Sequence, residues 1–151
     1  MPGDSLTAST TIGLSPDQAF ELFTAGMASW WPREYTWSQD VLEEIVIEPG
    51  EGAFCVERGP HGFTAHWGRV ETWEPPERLV FTWQIGPNRE PVPDPNRASE
   101  VEVHFTAAGN TETRVELEHR HFSRYTEGGG AYRDAMASPQ GWPHILDRFA
   151  A

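Results

Sequence analysis

Between residues 100 and 118 apolar and polar side chains alternate: Val101, Val103 and Phe105 stand against Glu100, Glu102 and His104, then Val115 and Leu117 against Arg114, Glu116 and Glu118. Successive side chains on a strand point to opposite faces, so a period of two sends one row into a core and the other into water. If the two runs pair antiparallel around Gly109-Asn110, facing residue numbers sum to a constant. Odd positions meet odd positions only when that sum is even, which calls for an odd-length loop or a bulge, with Gly109 or Asn110 left-handed. The same parity carries His119 and His121 onto the apolar face.

The rest of the chain extends this sheet. Residues 10–14 are β-compatible, and Ser15-Pro16-Asp17 gives an N-cap with proline at the first helical position. Ala19, Phe20, Leu22 and Phe23 form a helical stripe. Gly26 interrupts it before Met27-Ala28-Ser29-Trp30-Trp31, which Pro32 ends, so two short helices are expected. Five β-rich runs follow, at 41–47, 53–58, 63–73, 79–85 and 100–107, and a last strand at 112–122 completes a meander. Tyr132, Ala135, Met136, Trp142, Ile145, Leu146 and Phe149 then make one apolar helical stripe. Pro139 and Pro143 predict a break in that helix near Ser138, with the Ser138 side chain capping the second segment. The expected architecture is α+β: a curved antiparallel sheet of about seven strands around a long C-terminal helix. Residues 1–151 read as one domain, with 1–7 as a flexible tail.

Charge narrows the partners. Twenty-three acidic residues against eleven basic ones give a formal net charge of -12. The arginines stand singly from Arg33 to Arg148, so neither nucleic acid nor an anionic membrane is an expected partner. All eleven cations are Arg, which excludes Schiff-base chemistry by a lysine amine. The single Cys55 forms no internal disulfide, and no stretch is long and apolar enough to span a bilayer. A cytoplasmic location is expected.

The order strand, two helices, six strands and long helix resembles the START-like, or SRPBCC, superfamily. Within it the chain is similar to homologues of the HSP-90 ATPase activator. The resemblance rests on Ala19-Phe20-Glu21-Leu22-Phe23, Trp30-Trp31-Pro32, the run from Trp67-Gly68-Arg69 through Pro75-Pro76-Glu77-Arg78-Leu79 to Trp83, Arg114-Val115-Glu116-Leu117, and Gly141-Trp142-Pro143-His144. It implies a helix-grip fold with an internal hydrophobic cavity. It also implies three classes of function: a carrier of small apolar or aromatic ligands, a chaperone-associated stress-response module, or a polyketide cyclase/aromatase-like or hydrolytic enzyme.

Seven tryptophans favour the first class. Phe81, Trp83, Tyr132, Met136 and Trp142 are placed to face each other between sheet and helix and, with His119 and His121, form the candidate ligand site. Trp30 and Trp31 are placed at its mouth. Two inward imidazoles need partners. A metal there would require a third ligand such as His66 or Glu57, which no spacing supplies, so no metal, cofactor or catalytic residue is assigned. Arg69, Glu71, Arg114, Glu116, Glu118 and Arg120 read as a solvated outer face of weak charge pairs. The proline-spaced segment 86–95 is excluded from a central strand and is suited to a rim.

Overall fold

The computed structural model describes residues 4–151. Its chain order is β1 (Ser5–Ile12), α1 (Pro16–Thr24), three 3-10 turns (Met27–Ser29, Arg33–Tyr35, Gln39–Val41), β2 (Glu44–Ile47), β3 (Phe54–Arg58), β4 (Thr64–Glu74), β5 (Arg78–Trp83), β6 (Ser99–Ala107), β7 (Thr113–Arg120), α2 (Gly129–Ala137) and α3 (Trp142–Ala150). All seven strands form one antiparallel sheet in the order β1-β7-β6-β5-β4-β3-β2, curled into a half-barrel around the C-terminal helical segments. This is the helix-grip architecture.

The β6–β7 hairpin has the even register that its alternation demands. Val101 faces His119, Val103 faces Leu117 and Phe105 faces Val115. The connection from Ala108 to Glu112 is closed by the Ala108 N–H donating to the Glu112 carbonyl at 2.9 Å, with Gly109 left-handed at φ 93°. Val101, Val103, Phe105, Val115 and Leu117 are all buried in the core.

Ser15 caps α1 as its sequence predicts: its side chain accepts from the Gln18 N–H, and Gln18 Oε1 accepts from the Ser15 N–H, both at 3.3 Å. The apolar face of α1 lies on the sheet, with Phe20 5.0 Å from the Trp73 ring and 5.2 Å from Phe105. From the other side α3 closes the core, Phe149 meeting Phe23 at 5.4 Å and Trp30 at 4.9 Å.

Four local expectations are corrected. First, β1 starts at Ser5, so Ser5, Leu6 and Thr7 belong to the sheet opposite Arg120, His119 and Glu118; residues 1–3 of the expected tail lie outside the described residues. The Ser/Thr-rich composition hides this strand, whose inward residues are Leu6 and Ile12. Second, residues 27–29 form a single 3-10 turn, and Val41 lies in another turn with its side chain exposed. Third, Ser138 ends α2 and does not start α3. Its hydroxyl donates back to the Ala135 carbonyl at 2.7 Å, while Gly141 begins α3 without a side-chain cap. Glycine is required there because a Cβ would collide with the Met136 carbonyl. Fourth, β7 ends at Arg120: His121 is left-handed at φ 68°, which breaks the alternation.

The outer face carries more than isolated pairs. Arg120 donates to Glu100 at 2.8 Å, Glu102 at 2.6 Å and Glu118 at 2.9 Å, and Arg78 reaches Glu102 at 2.8 Å. Although partial burial opposes its ionisation, hydrogen bonds from Arg78, Arg120 and His104 hold the Glu102 carboxyl down to about 2. Glu71 is pushed up to about 7, first by a hydrogen bond with Glu100 and then by desolvation.

Candidate functional site

Where the helix breaks between α2 and α3 it leaves the sheet, and a cavity of about 340 Å³ opens between them. The sheet side is formed by Trp67 of β4, Trp83 of β5 and Glu57 of β3; Tyr132 and Met136 of α2 and Ile145 of α3 form the helical side. Trp31, Tyr35 and Trp37 close it from the segment after α1, and Pro87 and Arg89 contribute from the 86–95 connection. Two hydrogen bonds tie these separate pieces together. The Tyr35 hydroxyl donates to the Gln140 carbonyl at 2.7 Å, and the Trp37 indole N–H donates to the Arg89 carbonyl at 2.9 Å.

The aromatic wall is rigid because its rings brace one another. Trp31 stacks on Trp67 at 6.1 Å and 26°, and Trp83 meets Trp67 edge-on at 5.7 Å and Trp142 at 5.7 Å. Glu57 is buried at 2% exposure with both carboxylate oxygens engaged. Oε1 accepts from the Trp37 N–H at 3.1 Å, and Oε2 accepts from the Ser38 N–H and hydroxyl, both at 2.7 Å. The carboxylate therefore fixes the turn that carries Tyr35 and Trp37.

Behind this wall runs a directional hydrogen-bond chain. An indole N–H can only donate, so the Trp142 contact to His119 Nδ1 at 2.9 Å identifies Nδ1 as the lone-pair nitrogen and puts the proton on Nε2. Nε2–H then donates to Ser99 Oγ at 2.7 Å, and Ser99 Oγ to the Tyr125 hydroxyl at 2.7 Å. Tyr125 donates to the Trp83 carbonyl at 2.8 Å. Complete burial pushes the imidazole down to about 3, so at neutral pH it is uncharged. With both nitrogens occupied, His119 orders the core.

The profile of the family described as activator of Hsp90 ATPase homolog 1-like protein matches residues 14–151. The chain belongs to this family. Among solved structures it is similar to an anthrahydroquino-γ-pyrone synthase, Txn09, with 35% identity over 99% of this chain and 98% of that one, at a TM-score of 0.69. It is also similar to the self-sacrificing resistance protein CalC from Micromonospora echinospora, with 29% identity, 98% and 92% coverage and a TM-score of 0.69. A Nitrosomonas europaea protein at 16% identity, covering 99% of this chain and 94% of that one with a TM-score of 0.67, shares the fold. No curated protein matches the chain. Among the described residues no helix is long and apolar enough to cross a membrane.

On this activator-homologue scaffold, Trp83, Tyr132, Met136 and Trp31 line the cavity. Phe81, His119 and Trp142 lie in the packed layer behind it, buried to 1% or less. Trp30 is a core residue: its N–H donates inward to the Leu22 carbonyl at 2.8 Å, because the 3-10 turn sends Trp30 and Trp31 in different directions. His121 leaves the inner face altogether, and its Nε2 lies 3.6 Å from Glu100 on the outer face. Phe122 takes its inward place, 4.3 Å from the His119 ring. Unforeseen as wall residues were Trp67, Glu57, Tyr35 and Trp37. Trp67 carried a usable signal, an aromatic at the same strand parity as Ala65, whereas the turn of 33–41 has no periodicity from which a direction could be read.

Proposed function

We propose that this chain binds a small, flat aromatic molecule in the cavity between β3–β5 and the α2–α3 break. The observation that carries the reading is the wall itself: Trp31, Trp67, Trp83 and Tyr132 surround about 340 Å³, with the polar atoms of Trp83 and Tyr132 already bonded to protein. Such a mainly apolar, pre-formed concavity with few convergent polar groups is how small-molecule sites are built. The names of two similar structures support it, one a synthase of an anthrahydroquino-γ-pyrone and the other a resistance protein. Titration with a series of planar bicyclic and tricyclic aromatics tests the proposal: saturable quenching of tryptophan emission is expected, and its absence across the series would shift weight to a chaperone-associated role.

A second reading, a cyclase-like enzyme, rests on the 35% identity to that synthase. His119 is unsuited as its base, being neutral and fully hydrogen-bonded. Glu57 is the acidic group in the wall, so turnover of a cyclisable substrate that survives His119→Gln and is lost in Glu57→Gln would support the enzyme.

A further inference from the structure

Of the residues that line the cavity only Arg89 is basic, and the only acid, Glu57, is buried with both carboxylate oxygens bonded to Trp37 and Ser38. Arg89 makes its hydrogen bonds through the backbone: its N–H donates to the Gly86 carbonyl at 3.0 Å, and its carbonyl accepts from the Trp37 indole N–H at 2.9 Å. Among the described residues its guanidinium meets no carboxylate or carbonyl, whereas Arg78 and Arg120 on the outer face are paired with carboxylates. Burial pushes the Tyr132 hydroxyl up; the charge of Glu90 adds to that and the charge of Arg89 opposes it, so both side chains act on the helical wall of the cavity. Glu90 is committed to the loop, where its Oε1 accepts from the Asn88 N–H at 2.7 Å and its carboxyl occupies the space a Cβ on Gly86 would need.

The backbone singles out the same residue. Residues 86–90 close a hairpin tip, with the Gly86 N–H donating to the Glu90 carbonyl at 2.7 Å and Ile85 bridged to Pro91. A tight turn centred on Pro87 and Asn88 is followed by Arg89 in the left-handed region at φ 62°. In a short hairpin loop that position favours glycine, because a Cβ there crowds the following carbonyl. Glycine or asparagine would serve a residue needed only to turn the chain. Here an arginine takes the position, and the Trp37 indole ties its carbonyl to the cavity wall. The base of the side chain is thereby fixed before anything binds.

We infer that the bound molecule carries a carboxylate on its flat framework, and that the Arg89 guanidinium recognises it at the cavity rim. This inference rests on the ligand-binding reading above. The guanidinium is a planar fork of N–H donors that matches the two oxygens of a carboxylate, and a carboxylate conjugated with a ring lies in the plane of that ring. The ring system fills the space between the tryptophans while its charged end stays at the exposed rim, where neither ion is stripped of water. The net charge of -12 repels anions in general, so selection of one at this site comes from the local cation.

β-Naphthoate and β-naphthamide, which share a shape and differ in charge, separate the possibilities when their affinities are measured by equilibrium dialysis at neutral pH and low ionic strength. Naphthoate is expected to bind about fivefold more tightly, the upper range for an ion pair at an exposed site. Arg89→Gln removes this preference, while naphthamide still binds and so reports that the cavity is folded. Arg97→Gln, which removes the same charge from the same connection but outside the cavity lining, keeps the preference. Equal affinities in the native protein, a preference that survives Arg89→Gln, or one lost equally in Arg97→Gln would overturn the inference. Saturable binding of neither compound would overturn the ligand-binding reading, and this inference with it.

Discussion

The Trp142 indole N–H donates to Nδ1 of His119 at 2.9 Å, and through that contact α3 sets the tautomer of a histidine on β7. In the unfolded chain this imidazole titrates near 6.5, whereas in the fold burial brings it to about 3. Between those values the unfolded chain binds a proton that the folded chain refuses. Stability therefore falls as pH drops from about 6.5 towards 3, by up to about 1.4 kcal/mol per pH unit from this group, and is independent of it above 6.5. Denaturant titrations at a series of pH values check this: His119→Gln, which cannot titrate, should be less stable at neutral pH but decline less steeply on acidification.

Glu71 acts in the opposite direction. Its carboxyl is raised to about 7 by the hydrogen bond with Glu100, so the stabilisation is present in acid and is lost as pH rises through 7. Glu71→Gln keeps a donor towards Glu100 and removes the second charge. The variant should gain stability over the native protein at about pH 8 and lose that advantage by about pH 5, as read from the difference in denaturation midpoints. A constant difference across that range would show that the two carboxyls do not share a proton.

Leu117 is buried at 2% exposure among the inward residues of β6 and β7. Leu117→Ala should cost about 2–5 kcal/mol, the range for truncations that leave a cavity in a packed core. A loss under about 1 kcal/mol would be incompatible with that placement.

Gly141→Ala probes the α2–α3 break that opens the cavity. The added methyl meets the backbone carbonyl of Met136, not a mobile side chain, so the two segments must separate. A loss of about 1–3 kcal/mol is expected in thermal or denaturant unfolding, together with weaker aromatic binding. Unchanged stability and binding would show the junction to be adaptable.

Most of the fold was legible because a half-buried sheet writes itself in period two: the register of β6 and β7 follows from Val101, Val103, Phe105, Val115 and Leu117, and the helix break from two prolines. The resemblance carried by Trp30-Trp31-Pro32 and the run from Trp67 to Trp83 supplied the family. Parity failed at His121, where one left-handed residue ends the strand and nothing in the local composition announces it. The site was half legible. Trp83, Tyr132 and Met136 lie on regular elements whose faces can be counted, but Tyr35 and Trp37 are placed by the buried Glu57 carboxylate, a tertiary contact with no local signature.

Trp83 and Trp73 give a matched pair for the wall. Trp83 lines the cavity and donates to Tyr132, while Trp73 packs on Phe20 near the end of β4, away from the cavity wall. Trp83→Ala should weaken the binding of a planar aromatic by more than Trp73→Ala does, provided circular dichroism shows both variants folded; equal effects would favour a filled core over a binding site.

The most direct test of the cavity as a binding site is a ¹⁵N–¹H NMR titration of the seven indole N–H groups with fluorenone. The signals of Trp67, Trp83 and Trp37 should shift together and saturate, while Trp30 and Trp142, whose donors are bonded inside the core, should move least. Shifts that fail to saturate, or that fall on Trp73 and leave Trp67 and Trp83 unmoved, would contradict the account.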